Sequence, residues 1–476
     1  MLARGSLLLV LGLAMGLLAG PSVVPVATSP REDAPGGAGE EAVDWLLGYL
    51  RIDTSNPPGN ESAAAAYLAS ILHAEGIPTR LLVTPAGRAN LYTRLEAPAP
   101  TAGALVLLHH MDVVPPGDAW TRRPFAGEMA QGRVWGRGAI DAKSLGISHL
   151  AAIIELHRQQ VRLDRDVVFL AVADEETGGS QGMQWLLERH GDLFADVAGV
   201  LNEGGSNRVA GGRLFWWGIE VAQKRPLWLR ISTQGRGGHG STFNPASATH
   251  QLVASLANLF REAPQMRVTA AAKEYFAALS RFHGNAFAQV FGSPDLETVE
   301  REFQRMREEG RTAQVLMPGM AVFFQDTLQI TSLETPTSSI NVVPQQASAL
   351  LDVRLLPDTP VEDILKRLRE SLGNNASIEV LLASPPAPPS PTSSEIYGAL
   401  ERALGDEAPL VPSFITGTTD SRYFRERGIP AYGFSPFVLS GDEVRGIHGA
   451  DESIPLQRFQ DGLTTMKRVV RAAVAG

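Results

Sequence analysis

Histidines and carboxylates stand where short apolar segments of this sequence end. Residues 104–108 lead into His109-His110-Met111-Asp112, and alternation along an extended chain puts His110 and Asp112 on one side. Residues 167–173 lead into Asp174-Glu175-Glu176, residues 197–201 into Asn202-Glu203, and far downstream Ile447 precedes His448-Gly449. Asp141 stands just before a helical stretch, where by itself it reads as an N-cap accepting backbone N–H groups. Three consecutive carboxylates at a buried strand end raise one another's pKa unless a cation neutralises them, so a divalent metal is the economical reading. Two histidines with several carboxylates at successive strand ends suit a dinuclear hydrolytic centre.

Composition narrows the chemistry. The chain has no cysteine, which excludes a disulfide framework and thiolate metal ligands and leaves ten histidines and the carboxylates as donors. With 42 Lys+Arg against 51 Asp+Glu the net charge is -9, and no basic stripe or tail offers a footprint for nucleic acid. At the start, Arg4, an apolar run over 7–18 and small or turn-forming residues over 19–22 have the form of a secretory signal. Residues 1–30 are therefore expected to be a signal peptide or a retained membrane anchor, and the protein exported: secreted, periplasmic or membrane-anchored.

The elements that must position these residues follow from periodicity. Helices are expected over 42–49 and 62–75, around the turn Asn56-Pro57-Pro58-Gly59-Asn60, and again over 142–160 and 181–190. Strands over 104–108, 166–173 and 197–201 alternate with them, which implies an α/β fold with a mixed, largely parallel sheet and helices on both faces. Ligands in such sheets sit beyond the carboxyl ends of the strands, where these charges lie. A 476-residue chain exceeds one compact core. The catalytic domain is expected in two parts, 41–223 and 390–476. An α+β domain over 224–384 is inserted between them, opening on the alternation Leu227, Leu229, Ile231 and closing before the proline-rich residues 385–391, with an extra helical segment at 262–326.

Four motifs carry a resemblance: His110-Met111-Asp112-Val113-Val114-Pro115, Gly136-Arg137-Gly138-Ala139-Ile140-Asp141, Asp174-Glu175-Glu176-Thr177-Gly178-Gly179 and His448-Gly449. In order and spacing they resemble the zinc-dependent exopeptidase family of aminoacylase, carboxypeptidase S and glutamate carboxypeptidase, over about residues 41–470. Gly417-Thr418-Thr419-Asp420-Ser421-Arg422 with Phe434 and Pro436 is most similar to the branch of carboxypeptidase S and the secreted N-acyl amino acid synthase/hydrolases.

The resemblance implies that Asp141 bridges two metals, that His110 and Glu203 complete one site and Glu176 and His448 the other, and that Glu175 is the base. Two zinc ions are implied, the same donors also accommodating cobalt or manganese. Asp112 would then hydrogen-bond the far nitrogen of His110, while His109 points to the opposite face as a packed residue. In the family, the histidine matching His239 stabilises the oxyanion, often across a dimer, so the inserted domain would act as lid and dimerisation surface; monomer and homodimer both remain open. Gly240 departs from the serine of many relatives. Asn341 and Arg354 are implied as contacts to the substrate, Arg422 sharing or replacing the carboxylate-binding role of Arg354.

The function so implied is a di-metal hydrolase cleaving, or reversibly forming, the amide between an acyl or peptidyl group and an amino acid with a free carboxylate. A narrow-range aminoacylase or dipeptidase is the alternative within that class. An inactive binding protein on the same fold would be expected to lack a ligand or the base, and every such position is filled. A hydrolase of sugars or nucleosides on an unrelated α/β fold is opposed by the arginines. Acyl length is not legible here.

Overall fold

The computed structural model describes residues 38–475 apart from 262, 263, 338 and 445. The leader expected over 1–30 lies outside them, and among the described residues no helix is long and apolar enough to cross a membrane.

Runs of mostly apolar residues between turns build a nine-stranded mixed sheet. The chain lays down β1 (Arg80–Val83), β2 (Ala89–Leu95), β3 (Ala104–His110), β4 (Val167–Val172), β5 (Val197–Asn202) and β6 (Arg213–Gln223). It then leaves to form β7 (Arg225–Gln234), β8 (Thr327–Glu334), β9 (Gln346–Leu355) and β10 (Ala376–Ala383), and returns as β11 (Leu410–Ile415) and β12 (Ala431–Gly433). The large sheet runs β1-β2-β4-β3-β5-β12-β6-β11, with the short strand Arg208–Ala210 against β6. Strands β4, β3, β5 and β12 are parallel, so their carboxyl ends open on one edge.

Every residue of β3 and β4 is buried, as a parallel sheet covered on both faces requires. Alternation splits them between two cores: Leu105, Leu107 and Phe169 pack with the helices Lys143–Arg158 and Leu456–Val474, while Val106, Leu108 and Leu170 pack with Leu186, Phe194 and Phe424. His109 falls on the first of these faces, fully buried against Phe169 and the histidine ring of His149, as its packed role requires.

The second sheet is antiparallel, ordered β8-β9-β7-β10. One face, with Leu227, Leu229, Ile231, Leu351 and Val353, packs on the helices Ala248–Leu259 and Val361–Leu372. On the other face Trp228 stands opposite Asp352 and Leu382. That face covers the loop after β4, since a Cβ on Gly178 would lie 3.5 Å from Leu382 and 3.7 Å from Trp228.

The expected extra helical segment is present, as Ala270–Leu279, Asn285–Phe291 and Leu296–Glu308, but it packs away from the small sheet. Phe276, Phe291, Phe303 and Phe324 form one aromatic cluster within the first core, and Phe323 meets Phe414 of β11 at 5.6 Å. The apolar face of the small sheet is already covered by its own two helices, so this phenylalanine-rich segment buries itself on the free edge of the large sheet. The interval 224–384 thus contributes to both layers.

Candidate metal centre

The carboxyl ends of β3, β4 and β5 deliver His110, the turn Asp174–Gly179 and Glu203 to one place, and two long-range loops bring Asp141 and His448 to them. His110 Nε2 lies 3.1 Å from Asp141 Oδ1 and 3.6 Å from Glu203 Oε2. His448 Nε2 lies 3.2 Å from Asp141 Oδ2 and 3.4 Å from Glu176 Oε1. Asp141 therefore turns one oxygen toward each histidine. It is no N-cap: the helix Lys143–Arg158 is capped by Ala142 without a side-chain bond.

The donor atoms form two groups, His110–Asp141–Glu203 and Asp141–Glu176–His448, each with atoms within 4.8 Å of one another. Imidazole nitrogens and carboxylate oxygens sharing one bridging carboxylate are the donor set of a two-metal centre. Electrostatics point the same way. Burial would lower the His110 pKa, but Glu203, Asp112 and Asp141 raise it well above the ordinary range. Hydrogen bonds to Asp141 and Glu176 lift His448 to about 10. Burial and Asp141 push Glu203 up to about 8, although His110 opposes them. The carboxylates around both histidines raise them, a concentration of negative charge that divalent cations would neutralise. Glu175 joins neither group, and burial, then Glu203, drive its carboxyl well above the usual range.

Asp112 acts differently from expectation. The far nitrogen of His110, Nδ1, lies 2.9 Å from the backbone carbonyl of Asp112, which fixes the tautomer with Nε2 free to ligate, whereas its carboxylate is 3.6 Å away. That carboxylate instead accepts the backbone N–H groups of Glu175 and Glu176, each at 3.1 Å, and Asn56 Nδ2 at 2.8 Å. It is a clamp on the turn that carries Glu175.

The sequence reading missed Asn56, Glu452 and Asp420. Asn56 Nδ2 also reaches Asp174 and Thr177 at 3.1 and 3.0 Å, so the turn Asn56–Asn60, legible only as a turn, braces the carboxylate loop. Asp174 is spent on that loop: burial pushes its pKa up, but bonds from Thr177, Gln181 and Asn56 hold it below the usual value. Asp420 is buried with neither oxygen hydrogen-bonded among the described residues, and burial raises it to about 7 against the attraction of Arg422.

Glu452 is the strongest omission. Its buried carboxylate accepts the N–H groups of Gly138 (3.0 Å), Ile140 (2.8 Å) and Asp141 (3.2 Å) and the Arg137 guanidinium (2.7 Å), while Arg137 also donates to the His448 carbonyl at 3.3 Å. One carboxylate thus ties the bridging residue to the loop of the second histidine. Glu452→Gln puts an NH2 group among N–H donors, and a loss of divalent-metal affinity of about 10–100-fold is expected, measured by competition with a chelator; unchanged affinity would show that the loops hold themselves.

The structure places the other expected contacts elsewhere. Arg422 is 1% exposed and donates to the Gly178 carbonyl (2.9 Å) and the Tyr423 hydroxyl (3.0 Å), with its guanidinium 4.3 Å from the Tyr423 ring. A substrate carboxylate does not reach a side chain so enclosed, so the expected binding role is corrected: Arg422 fastens the Glu175 turn to the helix Ser421–Arg425. Arg354 lies on the covering face of β9 but pairs in two-pronged fashion with Asp352, at 2.7 and 2.9 Å. His239 and Asn341 come together instead, in a short ribbon pairing Gly238–His239 with Val342–Val343, where Gly240 N–H donates to the Asn341 carbonyl at 2.8 Å. Both are exposed, and among the described residues no hydrogen bond or ion pair given for either reaches the acidic cluster. His239 Nδ1 accepts the Ser241 N–H at 3.2 Å, which leaves the proton of a neutral ring on Nε2.

Residues 106–472 match the family model described as Peptidase family M20/M25/M40. Human aminoacylase-1 is 27% identical over 437 residues, covering 88% of this chain and 92% of its own. The N-fatty-acyl-amino acid synthase/hydrolase of Xenopus tropicalis is 28% identical over 383 residues, 75% of this chain and 69% of its own. Among solved structures, an M20 family metallo-carboxypeptidase from Sulfolobus solfataricus shares the fold with a TM-score of 0.68 at 20% identity, covering 91% of this chain and 99% of that one.

Proposed function

This chain belongs to peptidase family M20/M25/M40, and from that premise we propose that it is a two-metal hydrolase that cleaves, or in reverse forms, the amide between an acyl or peptidyl group and an amino acid with a free carboxylate. The observation that carries this reading is Asp141, with one oxygen toward His110 and the other toward His448. Similarity to proteins named as aminoacylases and as an N-fatty-acyl-amino acid synthase/hydrolase supports acyl amino acids as the substrate class.

Zinc is the proposed metal, since imidazole and carboxylate donors in a chain without cysteine suit it. Once held by these residues, two cations would polarise the scissile carbonyl and acidify the attacking water. Glu175 takes a proton from that water and passes it to the leaving nitrogen, while Asp112 keeps the backbone of Glu175 in place. His239 is proposed to donate from Nε2 to the oxygen that becomes negative, and Asn341 and Arg354 to contact the rest of the substrate.

A homodimer would complete the arrangement, with the ribbon of one protomer closing over its partner. Support comes from the apolar side chains beside His239 and Asn341: Phe243 is 86% and Ile340 102% exposed, more than an isolated surface needs. Export, secreted or anchored, is proposed on the apolar run over residues 7–18.

The test is hydrolysis of a panel of N-acetyl, N-fatty-acyl and dipeptidyl amino acids by protein stripped with a chelator and reloaded separately with zinc, cobalt or manganese. Cleavage only after reloading is expected, greatest with zinc. Cleavage of one acyl class alone would favour the narrow-range aminoacylase, and cleavage of dipeptides alone the dipeptidase. No cleavage of any amino acid amide by reloaded protein would overturn the proposal.

A further inference from the structure

A cavity of about 790 Å³ opens beside the candidate metal centre, and two of the ligand residues, Asp141 and Glu203, line it. Its other walls come from the start of the helix Lys143–Arg158, the loop after β5 and the segment between β12 and His448. Apolar side chains dominate the lining: Ile140, Leu145, Ile415, Phe434, Leu439 and Val444. Neither Glu175, Glu176 nor Gly178 belongs to the lining, so the cavity extends to one side of the cluster while the small sheet, with Trp228 and Arg354, covers the other.

We propose that this cavity is the acyl subsite and that it takes an unbranched alkyl chain well beyond acetyl; the inference rests on the hydrolase reading above. The two halves of an amide diverge from the scissile carbon, and the amino-acid half carries a carboxylate. The proposed contact for that carboxylate, Arg354, lies on the covering sheet at the other side of the cluster, whereas this cavity offers mainly apolar walls, with Arg208 as the one cation among its described lining residues. An alkyl chain, with no charge to satisfy, gains from burial there. The volume falls in the upper part of the roughly 300–1,000 Å³ of small-molecule sites, far more than a methyl group fills. Val444 stands at the open part of the lining: it is 41% exposed and ends the short helix Gly441–Val444, so it can be changed without disturbing a core.

The experiment measures kcat/KM for N-acetyl, N-butanoyl, N-octanoyl and N-dodecanoyl derivatives of one amino acid, and for N-acetyl derivatives of amino acids with lengthening side chains. A gain of roughly two- to fourfold per buried methylene is expected along the acyl series. V444D is expected to lower the octanoyl-to-acetyl ratio at least tenfold, and V444L to preserve it. Equal kcat/KM for all acyl lengths, or a length dependence that follows the amino-acid side chain instead, overturns the acyl subsite while leaving the hydrolase intact. If no amide is cleaved, the hydrolase reading fails. Calorimetric binding of butanoate, octanoate and dodecanoate to the zinc-loaded protein then decides the cavity: affinity rising with length and weakened by V444D supports it, and affinity independent of length overturns it.

Discussion

Replacing Glu175 with glutamine is expected to leave both divalent cations bound and to lower kcat by about 10²–10⁴, the span that a positioned general base contributes. Glutamine keeps the shape of the side chain. The backbone N–H groups of Glu175 and its neighbour remain held by the Asp112 carboxylate, so the turn should not move. The ligand groups are also unaltered, since Glu175 belongs to neither. What disappears is the ability to accept a proton, and the loss corresponds to about 3–5 kcal/mol of barrier. Metal content by elemental analysis, together with steady-state rates on the best acyl amino acid, makes the test. A variant with full metal and near-normal kcat would remove Glu175 from the mechanism. One that loses metal would place it among the ligands instead.

The second large effect concerns stability. Glu220 of β6 and Arg425, at the end of the helix Ser421–Arg425, form a two-pronged pair at 2.6 and 2.7 Å, both essentially out of solvent. Arg425 also reaches Ser390 Oγ at 3.0 Å and the Ala431 carbonyl, so it binds the returning chain to the sheet. Burial pushes the Glu220 carboxyl above its ordinary range even with Arg425 beside it, so desolvation outweighs the attraction. The pair is therefore not expected to be a large net source of stability, yet breaking it is costly. Glu220→Gln strands a buried guanidinium, and a loss of about 3–5 kcal/mol is expected from urea denaturation. The double replacement of Glu220 by leucine and Arg425 by methionine should recover most of that loss. A single variant within about 0.5 kcal/mol of the parent would mean that water reaches Arg425.

These two residues show how function and fold are joined in this chain. The helix that Arg425 anchors also carries Arg422, whose guanidinium holds the Gly178 carbonyl in the Glu175 turn. Loss of the Glu220 pair should therefore reach the Glu175 turn through the helix Ser421–Arg425.

The sequence alone determined the sheet and which charged residues stand at its strand ends, and its resemblance to a family implied which of them are ligands. Histidines and carboxylates at the ends of buried apolar strands have few explanations other than a cation, and the alternation of strands with helices placed those ends on one edge. The pattern pointed to a cation near His110, Asp174–Glu176 and Glu203, while the roles of His110, Asp141, Glu176, Glu203 and His448 were implied by the order and spacing of the family motifs. Tertiary structure decided what depends on contacts between residues far apart in the chain. Glu452 meets the Asp141 loop across more than 300 residues, and nothing local distinguishes it from a surface carboxylate. Arg422 read as a substrate arginine because its segment resembles one branch of the family, but the structure buries it as a brace. The role given to the Asp112 side chain went to its own carbonyl, a matter of torsion angles that residue type does not encode. The phenylalanine-rich segment joined the large sheet because the small one had no apolar face left. Local patterns fix which groups must be buried or neutralised; which partner neutralises or covers them is set only when distant segments compete for the same surface.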